Sequence, residues 1–86
     1  MKLKNIFESE ELNNERIMVS LDNTKYNGLI RANKTASFIL DCLAEDCTIE
    51  TIVKKMTDIY DVKEEEAYLG VRKTILLLEE LNLLEE

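Results

Sequence analysis

Tyr26-Asn27-Gly28-Leu29-Ile30-Arg31-Ala32-Asn33-Lys34-Thr35-Ala36-Ser37-Phe38-Ile39-Leu40 is the stretch in which the chain changes period. Residues 26 to 32 read as a short strand, where Gly28 admits a bulge or the close approach of another backbone. From Asn33 onward the apolar positions fall at Ala36, Ile39, Leu40 and Leu43, an i, i+3, i+4, i+7 series that lays one stripe along a helix. Asn33 suits the N-cap, because its side chain can accept from a first-turn N–H that has no partner within the helix. The spacing therefore predicts a strand ending near Ala32 and a helix from Lys34 to about Ala44.

Upstream, Arg16-Ile17-Met18-Val19-Ser20-Leu21 puts Ile17, Val19 and Leu21 at alternate positions, the period of a half-buried strand with those three as its apolar face. Ile6 to Leu12 is more acidic, but it precedes Asn13-Asn14, a pair that tolerates the positive φ of a tight turn, so a first strand pairing with the second is expected. Asp22-Asn23-Thr24 reads as the next turn. Three strands in meander order thus occupy the first third of the chain.

Downstream, Glu45-Asp46-Cys47 interrupts the helical pattern and Thr48 caps a second helix, with Glu50 in its first turn complementing the macrodipole. Its predicted stripe is Ile49, Ile52, Val53, Met56, Ile59 and Tyr60, with Lys54 and Lys55 toward solvent. A third helix opens in Glu64-Glu65-Glu66 and runs to about Leu81, where Asn82 suits a left-handed cap and Leu83-Leu84 supplies the hydrophobic contact that accompanies one. Ala67, Val71, Ile75, Leu78 and Leu81 make a sufficient core stripe. Tyr68, Leu69, Leu76 and Leu77 are left over: either surrounding helices and sheet bury them, or they line a groove beside the sheet.

At 86 residues the chain is expected to form one domain, residues 1–86, of α+β class. No apolar run approaches the ~20 residues of a membrane span, and Met1-Lys2-Leu3-Lys4-Asn5 lacks the apolar region of a secretory signal, so a cytoplasmic location is expected. A net charge of −7 opposes binding to nucleic acid, whose phosphates demand cations. The absence of histidine removes the commonest general base and metal ligand together. Cys42 and Cys47 cannot complete a four-ligand zinc set and read as free thiols, one packed on a helix and one in a loop. Asp41, Glu45, Asp46 and Glu64 to Glu66 read as helix-end and surface charge, and no nucleophile stands beside a base. Neither catalysis nor a metal or cofactor is expected.

Residues 26 to 33, followed by Thr35 to Leu40, Thr48-Ile49-Glu50, Tyr60-Asp61-Val62 and the ending Leu78-Glu79-Glu80-Leu81-Asn82-Leu83-Leu84, together resemble the PqqD-like family, the peptide-binding modules called RiPP recognition elements. The resemblance covers roughly residues 6 to 84 and rests on the order and spacing of these segments rather than on one motif. Two positions depart from the family pattern: Gly70-Val71 stands where an Asp-Val pair is common, and Asn82-Leu83-Leu84 where the ending is Gly-Leu-Leu. Asn can serve the same left-handed cap. A glycine within a helix costs roughly 1 kcal/mol against alanine and can mark the approach of another backbone.

The resemblance implies a three-stranded antiparallel sheet followed by three helices, winged-helix-like. It further implies a non-catalytic module that binds the leader of a ribosomally made precursor peptide and presents it to a maturation enzyme, such as a radical SAM protein. The leader would add as a strand beside the third strand, at Asn27, Gly28, Leu29, Ile30 and Arg31, and lie against Tyr68, Leu69, Arg72, Lys73 and Leu76 of the third helix. Lys25, Arg31, Lys34, Arg72 and Lys73 fall near that cleft, either as a locally basic surface preferring an acidic leader or as ordinary solubilising charge. An open strand edge also allows self-pairing, so a monomer or a homodimer is compatible with it. The other class with a small sheet and three helices, a winged-helix DNA-binding regulator, is opposed by the net charge and by the acidic start of the third helix.

Overall fold

A computed structural model describes residues 1–85. Among them, strands β1 (Lys2–Leu3), β2 (Phe7–Leu12), β3 (Glu15–Ser20) and β4 (Leu29–Ala32) precede helices α1 (Lys34–Cys42), α2 (Ile49–Ile59) and α3 (Glu64–Glu80), and a short strand β5 (Leu84–Glu85) follows. The antiparallel sheet has the order β2-β3-β4, so the fold is α+β with the strand-then-helix order expected. Asn13 and Asn14, at φ 53° and 66°, form the two-residue turn that joins β2 to β3, since a hairpin this tight needs positive φ at both positions.

The alternation in β3 faces the other way from the sequence expectation. Met18 and Ser20 are buried, whereas Val19 is 48% exposed and Leu21, just beyond the strand, 69%. Two polar contacts fix this orientation. Arg16 lies on the inner face, where its guanidinium meets the Asp41 carboxylate of α1 at 2.6 Å. The Ser20 hydroxyl donates to the Asp22 carbonyl and accepts from the Asp22 N–H. With period two, anchoring residues 16 and 20 inward sends Ile17, Val19 and Leu21 outward as a set.

β4 is also shorter than expected, because residues before Leu29 belong to a loop rather than a strand. The N–H groups of Lys25 and Tyr26 both donate to the Asp22 carbonyl, and the Tyr26 ring packs on Phe7 with centroids 5.9 Å apart. Gly28 ends the loop at φ 145°, a conformation that L side chains rarely adopt.

The helix starts follow the sequence reading. Asn33 caps α1 by accepting from the Ala36 N–H at 2.9 Å, and Thr48 caps α2 by accepting from the Thr51 N–H at 3.2 Å. In α2 the buried residues are Ile52, Val53 and Met56; Ile59 is 65% exposed, and Tyr60, beyond the helix, meets Phe38 edge-to-face. α3 buries Ala67, Val71, Ile75 and Leu78 and leaves Leu81 at the margin. Its end is a Schellman motif: Asn82 has φ 57°, its N–H donates to the Glu79 carbonyl, and the Leu83 N–H donates to that of Leu78. Leu83 is fully buried there.

That cap delivers the chain to β5, which pairs antiparallel with β1 in a second, two-stranded sheet that the sequence reading did not anticipate. The Lys4 N–H donates to the Leu83 carbonyl and the Leu3 N–H to that of Leu43. The core unites Met18 and Ala32 of the sheet with Ile39, Leu40 and Leu43 from α1 and its cap, the buried residues of α2 and α3, Ile6 and Leu83. Among the described residues, no helix is long and apolar enough to cross a membrane.

Candidate binding surface

Hydrogen-bond parity defines the free margin of the sheet. The Ser20 N–H donates to the Gly28 carbonyl, and the register pairs Met18 with Ile30 and Arg16 with Ala32. In an antiparallel ladder the bonded pairs alternate. Gly28, Ile30 and Ala32 therefore aim their main-chain groups at β3, while Leu29 and Arg31 aim an N–H and a C=O each away from it. Asn27, Gly28, Leu29 and Arg31 are exposed and Ile30 is half-buried on the core side.

The opposite margin, β2, carries Glu8, Glu10 and Glu11 within six residues, all exposed. Charged side chains are a usual guard against edge pairing. The two margins thus differ in chemistry: one is acidic, and the other is apolar with a single arginine. That arginine is engaged, since Arg31 Nε lies 3.4 Å from the Glu15 carboxylate on the outer face of the sheet. This ion pair leaves less positive charge at the margin than the sequence suggested.

All five helix residues assigned to the site are exposed. At about 100° per residue, Tyr68, Leu69, Arg72, Lys73 and Leu76 share one arc of α3, on the side away from the buried Ala67, Val71, Ile75 and Leu78. Leu69 is 67% exposed and Leu76 50%, so the leftover apolar residues are not absorbed by the core. Leu77, 55% exposed, extends the same surface. Tyr68 and Leu69 line an open concavity with Lys63, Glu64 and Glu65.

The strand and helix sets are not joined to each other. Among the described residues, no hydrogen bond or ion pair links residues 27–31 with residues 68–76. α1 positions both, packing on β3 and β4 and also on α3, which rests mainly on α2. Gly70 is exposed, with nothing within 4 Å of the place a Cβ would take, so it admits no backbone of its own fold. The sequence reading missed the outer face of the sheet, where Val19 and Leu29 sit side by side. Arg16, in phase with Met18 and Ser20, was the available signal.

Away from this surface, Asp22 holds the loop before β4: its carboxylate accepts from the Thr24 hydroxyl and N–H, which keeps it below the ordinary carboxylate range. Cys42 and Cys47 are free thiols, the second donating to the carbonyl of the first at 3.3 Å, and burial pushes both above the ordinary thiol value.

Similar folds occur in solved structures. TbiB1 in complex with the TbiA(beta) leader peptide superposes with a TM-score of 0.79 at 22% identity, over 99% of this chain and 95% of that one. A lasso peptide synthetase B1 complexed with the leader peptide gives 0.74 at 15% identity, over 95% and 93%. No curated protein matched. The family described as coenzyme PQQ synthesis protein D (PqqD) matches residues 15–84, from the first residue of β3 to the first residue of β5, and the chain belongs to that family.

Proposed function

We propose that this protein captures the leader segment of a ribosomally synthesised precursor peptide by strand addition along β4 and presents it to a maturation enzyme. The observation that carries this reading is the margin of β4. Leu29 and Arg31 offer two N–H and two C=O groups to a guest strand, and α1, which packs on β4, also packs on α3, whose Tyr68, Leu69 and Leu76 are exposed. Main-chain pairing supplies affinity in such a mode, and pockets for alternate side chains supply selectivity. The leader peptides bound in the two similar structures support the same reading.

The protein acts by binding alone, and the chemistry belongs to the enzyme that receives the leader, a radical SAM protein being the expected type. Two free thiols suit a reducing cytoplasm. Titration of isotope-labelled protein with candidate leaders, taken from short reading frames encoded beside it, tests the proposal. Amide shifts are expected across residues 27–32 and 68–76. Shifts confined to β2 would overturn it.

A further inference from the structure

Among the described residues, the outer face of the sheet is left largely open, with Glu8, Glu10, Val19, Leu29 and Arg31 all exposed. Register places Val19 between Glu8 and Leu29, and Ile17 between Glu10 and Arg31, so these side chains share that face. Val19 on the middle strand and its neighbour Leu29 at the start of β4 are about half exposed. Glu8 and Glu10 line the β2 side and Glu15 one end, with Leu12 opposite Glu15, and among the described residues the cation on this face, Arg31, is held by Glu15.

An apolar centre with an acidic rim calls for a surface of opposite rim charge. A second copy of the chain would meet it with the same carboxylates, because a two-fold interface places one patch on itself. The face is also small. Three strands about 4.8 Å apart and up to six residues long span on the order of 300 Å², against roughly 800 Å² per partner in a stable interface. This size fits a short-lived encounter.

We propose that this face is where the maturation enzyme docks, through a contact apolar at its centre and lined with lysine or arginine at its rim. The inference rests on the leader-presenting role and makes it more specific. A leader added beside β4 continues the sheet in its own plane and sends every second side chain onto the outer face. An enzyme seated there would touch domain and leader together.

The test uses the full chain without leader and two synthetic 18-residue amphipathic helices of identical leucine face, one with lysine and the other with glutamate on the polar side. The lysine peptide is expected to shift the amides of Glu8, Glu10, Ile17 and Val19, and the glutamate peptide to leave them unmoved. Val19→Glu should weaken the lysine peptide by about tenfold, since it removes the apolar contact, although it makes the domain more acidic. Val19→Ser, which brings no like charge opposite Glu8, should weaken it by roughly threefold. The inference is overturned if Val19→Glu binds as tightly as the native chain or more so, the result of plain charge attraction. Shifts centred on Glu64 to Glu66, or self-association through the same amides, overturn it equally. Leader titration of both variants separates the two proposals: an undisturbed leader site with no peptide docking removes this one alone, and peptide docking on a domain that takes no leader removes the other.

Discussion

Proline at position 31 isolates the main-chain contribution to leader capture. The Arg31 N–H points away from β3, so its loss breaks no bond of the native ladder, and an edge strand tolerates proline where the N–H faces solvent. Ile30, which precedes it, is already extended as that position requires. Arg31→Ala is the reference, because it removes the same side chain, 69% exposed and paired with Glu15, while keeping the N–H. Exposed pairs of this kind are worth about 0–1 kcal/mol, so Arg31→Ala should change leader affinity by fivefold at most. Arg31→Pro removes one donor beyond that, a net of about 1 kcal/mol or roughly fivefold, and its ring crowds the flanking acceptor as well. Fluorescence anisotropy with a labelled leader should show Arg31→Pro at least about fivefold weaker than Arg31→Ala, with unfolding free energies from urea titration agreeing to within about 1 kcal/mol. Equal affinity of two folded variants would refute strand addition at this margin. Ile30→Pro supplies the reciprocal control: that residue bonds Met18, so the same change there should unfold the sheet.

Gly70→Ala should stabilise the protein by about 1 kcal/mol and raise Tm by roughly 4–8 °C in calorimetry, since the added methyl meets nothing within 4 Å. Stability should decline in alkali through the two cysteines. Burial raises their folded pKa above the unfolded one, so the unfolded chain loses these protons first, and the loss begins as pH climbs through about 8.5; Cys42→Ala/Cys47→Ala should flatten that limb of the denaturation profile. Charge reversal of Arg72 and Lys73 should weaken an acidic leader by several-fold at low salt and much less at high salt. An unchanged Kd would assign both cations to the solubilising surface.

The helical two thirds of the chain were legible because their signals are local. Asn33, Thr48 and Asn82 each hold the cap the sequence assigns to them, and the 3.6-residue stripes locate Ile39, Leu40, Ile52, Val53, Met56, Val71 and Leu78 in the core. The losses occur where a distant partner decides. Ile59 and Tyr60 continue the stripe of α2, but Ile59 stays 65% exposed and Tyr60, beyond the helix, is only partly covered by its edge-to-face contact with Phe38. β1 and β5 depend on a pairing between residues more than 80 positions apart, which no local pattern encodes. Tyr26 leaves the strand because its N–H and Lys25's both turn back to Asp22.

The parity of β3 carries the most functional weight, and the Arg16–Asp41 ion pair is one of the two polar contacts that go with it. Read by hydrophobicity alone, Ile17, Val19 and Leu21 are the core face and Arg16 a surface charge. In the fold Arg16 shares the inner face with the buried Met18 and Ser20, and its guanidinium meets the Asp41 carboxylate of α1 at 2.6 Å there. Since side chains alternate strictly, the apolar set must then face outward. A chain under pressure only for stability would be expected to give that outward set polar residues, as Glu8 and Glu10 do on the neighbouring strand. On the proposed reading, the apolar Val19 and Leu29 belong with the outward N–H and C=O groups of Leu29 and Arg31: one strand pair would offer a guest its backbone at the edge and a hydrophobic face at right angles to it.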